Sequence, residues 1–290
     1  ELLEAQQDLA SQRPAVYYQL RYVEGLSRVA QKEYGPAIDA LSALPQEASA
    51  YRDLPEEQEL LVMYPYTLYY QGWSHYRLSR YEQAERFFGE LLAYDTGHEF
   101  SPRAAYLAGW SAFNRGEQQA ATDFLRQAVS LAGSEGVRAE ATLLLGRSLK
   151  AMGSYTEADA QFRNIFADSP DSPLADDALF EYAEGLERRG RIDQAVRQYR
   201  ALFERYPESA LSEEGMYRRA EVLFQAERYG EAREAFAAYR ANFPQGNLIA
   251  PALYWGGVSA LELGESSGAL LLWEQLIEEH PESAFRADAM

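Results

Sequence analysis

The chain has 290 residues, 47% of them hydrophobic and 25% charged, which is apolar content enough for a folded core. Its 45 acidic side chains outnumber 27 basic ones, for a formal net charge of −18, and a nucleic-acid backbone or an anionic lipid surface asks for the opposite sign. Cysteine is absent, which excludes disulfides, thiolate metal sites and a cysteine nucleophile.

No stretch reaches the roughly 18 consecutive apolar residues of a membrane span, and no basic n-region with an apolar core opens the chain. Residues 1–13 read as the partial helix of a preceding unit. At the other end Ser283-Ala284-Phe285-Arg286 reads as the start of a following helix over 283–290. The expectation is a segment of a longer protein.

Between these ends, from 14 to 282, three columns of residues recur. A small residue stands at Gly25, Gly72, Gly109, Gly146, Ala183, Ala220 and Gly257, the last six at a spacing of 37. Twelve residues beyond each comes an alanine: Ala37, Ala84, Ala121, Ala158, Ala195, Ala232 and Ala269. Four further on comes a large side chain: Leu41, Phe88, Leu125, Phe162, Tyr199, Phe236 and Trp273. Pro170, Pro207, Pro244 and Pro281 keep the same spacing.

Apolar positions recur at three and four within each unit, the mark of an amphipathic helix. Breaks such as Gly153-Ser154 and Arg189-Gly190 divide each unit into two antiparallel helices. The small residue and the alanine belong where the two helix axes approach closely, with the large side chain filling the space beside them. Proline ends the second helix because it cannot continue one, and Ser209 or Ser283 beside it caps the next.

Small–(11)–Ala–(3)–large with a closing proline resembles the tetratricopeptide repeat, and the turns Tyr34-Gly-Pro-Ala37, Tyr81-Glu-Gln-Ala84, Tyr155-Thr-Glu-Ala158 and Tyr229-Gly-Glu-Ala232 strengthen the likeness. It covers nearly the whole chain and implies an all-α fold, a right-handed α-solenoid of seven hairpins over 14–282. The 37-residue unit is longer than the family's usual 34. Together with the Tyr/Phe-Pro-x-Ser/Gly turn and Leu253-Tyr254-Trp255-x-Gly257, it is similar to bacterial envelope proteins of the outer-membrane-assembly lipoprotein and Tol-Pal-associated coordinator types. That resemblance implies a periplasmic or envelope-associated scaffold, with the cytoplasm as the alternative.

Two places depart from the pattern. Unit three closes on Gly133, Ser134 and Gly136, so a looser junction to unit four is expected. An insertion at 45–63 carries Glu47, Asp53, Glu56, Glu57 and Glu59; Asp53-Leu54-Pro55 reads as a helix start and Pro65 as a kink or break. Two readings of it stand, a surface elaboration and a lid or partner contact.

No catalytic constellation emerges. His75, His98 and His280 lie in different units, and His75 occupies a column held elsewhere by Ala112, Leu149, Leu186, Leu223 and Ala260, which reads as packing. No zincin, phosphate-loop or nucleophile-elbow motif is present. The pairs Asp176-Asp177 and Glu213-Glu214 suit the positive ends of helices. The expectation is no enzyme, no metal and no cofactor.

Repetition separates scaffold from function: a residue type present in every unit belongs to the fold, and one confined to a few units is a candidate for recognition. The aromatic column Tyr22, Tyr69, Tyr106, Phe180, Tyr217 and Tyr254 runs nearly throughout, with Leu143 its one exception, and is assigned to packing. One residue after the small position the chain has Leu26, Trp73, Trp110, Arg147, Glu184, Glu221 and Val258. Four after it stand Val29, Tyr76, Phe113, Lys150, Glu187, Phe224 and Leu261. By family analogy both columns look into a concave groove formed by first helices. The candidate partner-binding set is Tyr66, Trp73, Tyr76, Arg77, Arg103, Trp110, Phe113, Asn114, Arg147 and Lys150. It suits a protein or peptide with an apolar segment whose acidic group or terminal carboxylate meets Arg147 and Lys150. The leading expectation is a non-enzymatic interaction scaffold; the alternatives are a recognition region of a larger regulatory or catalytic chain, and self-association through the solenoid ends.

Overall fold

The computed structural model describes residues 8–52, 54 and 56–290, and no strand occurs among them. Two compact units divide the chain, Glu1–Ser154 and Tyr155–Met290. In the first, a short helical stretch over 8–12 leads to α1 (Pro14–Ala30), α2 (Tyr34–Leu41), a 3-10 turn (Ala48–Tyr51), α3 (Glu57–Arg77), α4 (Tyr81–Tyr94), α5 (Ser101–Asn114), α6 (Gln118–Leu131) and α7 (Glu135–Ala151). The second holds α8 (Tyr155–Asp168), α9 (Ala175–Arg188), α10 (Ile192–Arg205), α11 (Ala210–Gln225), α12 (Tyr229–Asn242), α13 (Ile249–Glu262), α14 (Ser266–Glu279) and the four-residue α15 (Arg286–Ala289).

The small–alanine–large ladder is what closes the hairpins within each unit. A β-carbon placed on Gly72 would lie 2.8 Å from the Phe88 ring, and one on Gly109 2.6 Å from the Leu125 side chain. The large residue therefore sits directly on the backbone of the paired helix, and Ala84, Ala121, Ala195 and Ala232 are wholly buried beside it. Each first helix then ends on a left-handed residue seven positions after the small one: Lys32, Ser79, Gly116, Gly153, Gly190, Glu227 and Gly264. The next amide reaches back five residues, as Arg80 N–H does to the His75 carbonyl at 2.9 Å and Arg191 N–H to Leu186 at 3.0 Å, which satisfies carbonyls that the helix end leaves open. Second helices stop at Asp168, Arg205, Asn242 and Glu279, two residues short of each repeat proline. The Ser209 hydroxyl accepts from Leu211 N–H at the start of α11.

Within each unit every second helix packs on the first helix that follows it. First helices of neighbouring repeats also touch: α1 on α3, α3 on α5 and α5 on α7 in one unit, α9 on α11 and α11 on α13 in the other. Neighbouring second helices make no comparable contact among the described residues. First helices thus lie on the inside of each unit's curve, which is where the candidate columns fall.

Two expectations need correcting, and a third falls largely outside the described residues. Pro65 neither breaks nor ends its helix: α3 runs unbroken through it, because Tyr64, Pro65, Thr67 and Leu68 are all buried and packing outweighs the lost hydrogen bond. Of the helix start at Asp53-Leu54-Pro55, Asp53 and Pro55 lie outside the described residues, and α3 begins at Glu57 behind a left-handed Glu56. The insertion is not merely a surface elaboration. Tyr51 and Leu60 are fully buried, and the rings of Tyr18, Tyr51, Tyr64 and Tyr94 form an edge-to-face series with centroids 4.9–6.1 Å apart. After unit three the connection shortens to 132–134 while α7 begins at Glu135, where an Arg138 guanidinium N–H donates to the Ala132 carbonyl.

Candidate functional site: an aromatic face on the first unit

Trp73 and Tyr76 lie on one side of α3, and three-residue spacing makes them neighbours. Their rings stack at 5.6 Å with 24° between planes. Tyr76 meets Trp110 of α5 edge-on at 5.1 Å. Tyr81, the first residue of α4, approaches both, at 6.4 Å from Tyr76 and 5.6 Å from Trp110. All four rings are half-buried, so a continuous aromatic face remains partly open. Phe113 is half-buried one turn beyond Trp110 on α5.

Arg77 is exposed and lies over two rings, 4.9 Å from the Tyr34 centroid and 5.4 Å from that of Trp73. Among the described residues no carboxylate pairs with it. Arg103 is engaged differently: it lies 4.9 Å from the Tyr106 ring and forms an ion pair with Glu140 one repeat on. Burial pushes the Tyr106 phenol up to about 12; Glu140 and Tyr76 act in the same direction while Arg103 and Arg147 oppose it. Those influences place Arg147 in the same electrostatic neighbourhood. Burial, then Tyr81, likewise raises the Tyr76 phenol.

Other members of the predicted set are placed elsewhere. Tyr66 donates to the Glu99 carboxylate at 2.6 Å and packs edge-on against His98 and Phe100, in the connection between α4 and α5. The Asn114 amide donates to the Trp110 carbonyl at 2.8 Å, which turns it back on its own helix. Lys150 lies in the last turn of α7. Tyr34, Tyr81 and Glu140 were missed as site residues. The two tyrosines carried a signal, being the aromatic of the Tyr-x-x-Ala turn, but that motif reads as a fold feature until its ring is seen reaching a first helix.

The surface is open. A cavity of about 730 Å³, lined by Glu82, Glu85, Arg86, Gly89, Arg115 and Phe124, lies on α4 and α6 without touching Trp73 or Trp110. Another of about 500 Å³ in the second unit runs beside α11, with Glu213, Glu214, Tyr217, Arg218 and Glu221 on its wall. No three metal-ligating side chains come together among the described residues, and no described helix is long and apolar enough to cross a membrane. A half-buried run of rings with a guanidinium at its edge suits an extended or helical chain segment rather than an enclosed small molecule.

Tetratricopeptide-repeat family models match residues 69–135, 143–209, 183–247 and 251–283. The chain belongs to the tetratricopeptide repeat family. Its α-solenoid class agrees with solved tetratricopeptide structures. The C-terminal part of a repeat-containing protein from Cytophaga hutchinsonii has a TM-score of 0.68 at 13% identity, over 93% of this chain and 99% of that one. A tetratricopeptide repeat protein from Parabacteroides merdae gives 0.56 at 16% identity, over 94% and 96%. PilW, a type IV pilus biogenesis factor by its description, gives 0.51 at 19% identity, over 77% and 97%. At these identities the likeness is one of fold. Among curated proteins no sequence match was found.

Proposed function

We propose that this tetratricopeptide repeat chain is a non-enzymatic interaction scaffold that holds an apolar segment of a partner protein on the first unit's aromatic face. The observation that carries the proposal is the joined set of half-buried rings Trp73, Tyr76, Tyr81 and Trp110, edged by an Arg77 that no carboxylate neutralises among the described residues. Large, stiff aromatic side chains bury much area at little entropic cost, and arginine shares with them the leading place among interface hot spots. Arg77 offers a first contact for an acidic group or terminal carboxylate; Arg147, which acts on the Tyr106 phenol together with Arg103, and Lys150 in the last turn of α7 are the further candidates. The repeats over 14–282 form the framework that presents it. We place the chain in the bacterial envelope. The turn motifs support that, and so does the fold shared with PilW, described as a type IV pilus biogenesis factor. A recognition region of a larger regulatory or catalytic chain would use the same face.

The test is a panel of apolar peptides, each made with a free carboxyl terminus and as an amide, titrated by isothermal calorimetry, with tryptophan fluorescence followed as well in the parent chain. Replacing both Trp73 and Trp110 with alanine is expected to weaken binding by about 2 kcal/mol or more per indole with the helical circular dichroism unchanged. Free-carboxylate peptides should bind more tightly than their amides, and Arg77→Ala should abolish that preference. A double variant that binds as well as the parent, or that unfolds, returns the indoles to packing.

A further inference from the structure

The second unit has a set of half-buried rings of its own. Phe224 of α11 meets Trp255 of α13 at 4.9 Å and Tyr229, the first residue of α12, at 5.5 Å. In the repeat register Phe224 and Tyr229 follow Ala220 by four and nine residues, as Tyr76 and Tyr81 follow Gly72. The rings lie inside the array: α14 follows them, and Phe285 beyond α14 packs 6.4 Å from Trp255.

The charge beside these rings has the opposite sign to that in the first unit. There Arg77 lies over Tyr34, a ring of the preceding repeat. In the second unit the same two register positions hold Glu262 and Tyr229. Burial raises the Tyr229 phenol, and Glu227 and then Glu262 push the same way, which sets both carboxylates near that ring. Both are exposed, and among the described residues no cation pairs with either. Arg228, the neighbour of Glu227 in sequence, is taken up by Asp193 and Glu231 at 2.6 Å each. One turn back on α11, Glu221 stands in the column that carries Trp73 and Trp110. Its ion partner Arg218 is shared with Glu187, so that trio has one carboxylate in excess.

We infer that Phe224, Tyr229 and Trp255 form a second docking surface and that its occupant is an apolar segment of a partner protein carrying a lysine or arginine. The ring faces attract a cation, and carboxylates without a cation of their own complete the match in charge. An acidic segment is repelled by the same groups. A bare metal ion is a poor occupant, because no three ligating side chains converge among the described residues. The surface shares no residue with the first unit's aromatic face and does not rest on the reading of that face.

The test titrates the 290-residue chain by isothermal calorimetry with short leucine-rich peptides blocked at both ends, carrying a central arginine or its neutral isostere citrulline. Blocked ends leave no terminal carboxylate for Arg77. The arginine peptide is expected to bind about fivefold more tightly or better, and the double variant Glu227→Gln, Glu262→Gln to remove most of that preference. Phe224→Ala should weaken both peptides; the glutamine substitutions fall on exposed side chains, so their effect is read even where Phe224→Ala perturbs folding. Glu278→Gln takes an exposed carboxylate from α14 and should leave the preference where it was. Equal binding of the two peptides, or none, overturns the inference. So does a preference that survives the double variant, or one that Glu278→Gln reduces as much, the sign of general attraction to an acidic chain. Binding abolished by replacing Trp73 and Trp110 assigns the peptide to the first unit, which overturns this inference and leaves the reading of that unit standing.

Discussion

His75 shows what one unusual side chain does inside a repeat. Its column is aliphatic in most units, and the imidazole is accordingly buried, stacked at 5.4 Å and 18° on Phe87, with Nδ1 lacking a partner. Burial lowers its pKa, and Arg80 and Arg86 push the same way. The folded state therefore binds the proton less readily than the unfolded state, whose value is about 6.5. Stability is full above that value and is lost as the unfolded chain takes up the proton below it. His75→Leu, which installs the residue found at Leu149 and Leu186, should raise the urea midpoint more at pH 5 than at pH 8. An equal gain at both values would mean that the proton plays no part. The packed character of His75 was readable from its column. The roles of Tyr34 and Tyr81 were not, because their rings cross from a second helix to a first helix, a contact that no spacing along the chain encodes.

Whole elements were more legible than side-chain contacts, since the residues that pattern the repeat are the ones that close it. Gly72 and Phe88 are 16 positions apart in sequence and in contact in space, and Gly25 with Leu41, Gly109 with Leu125 and Gly257 with Trp273 repeat the arrangement. The failures are local rules overridden by packing, such as Pro65 inside a continuous α3. A subtler miss is the hairpin turn. Glycine announces the left-handed residue at Gly116, Gly153, Gly190 and Gly264, but Lys32, Ser79 and Glu227 hold the same conformation without announcing it. Non-glycine residues there carry strain of about 1–2 kcal/mol, partly offset by the greater freedom glycine loses on folding. Ser79→Gly and Glu227→Gly should each raise stability by about 0.5–1 kcal/mol in denaturant titrations. Gly153→Ala, at φ +78° with nothing near its absent β-carbon, should lower it. A Gly153→Ala variant as stable as the parent would show that these turns relax into another geometry.

At the scale of the molecule, composition excluded partners more readily than it identified one. The excess of acid weighs against polyanions, and the repeat pattern pointed to the class of fold; the choice of ligand rests on a few side chains that break the repeat. Those side chains are all in one compact unit: Trp73, Tyr76, Arg77, Tyr81 and Trp110 lie within Glu1–Ser154. Stability in such arrays is a sum of repeat terms and nearest-neighbour terms, so a run of several repeats carries its own folding energy. A fragment of residues 1–154 is accordingly expected to unfold cooperatively and to bind the same apolar peptides as the full chain with unchanged affinity. It keeps two of the four tryptophans, Trp73 and Trp110, so the fluorescence change on binding should survive undiluted by Trp255 and Trp273. If the fragment folds but loses the peptide, the partner must also engage the second unit, where the column that gives Trp73 and Trp110 turns to Glu184 and Glu221. The acidic group assigned to Arg77 would then have to share its ligand with a basic one.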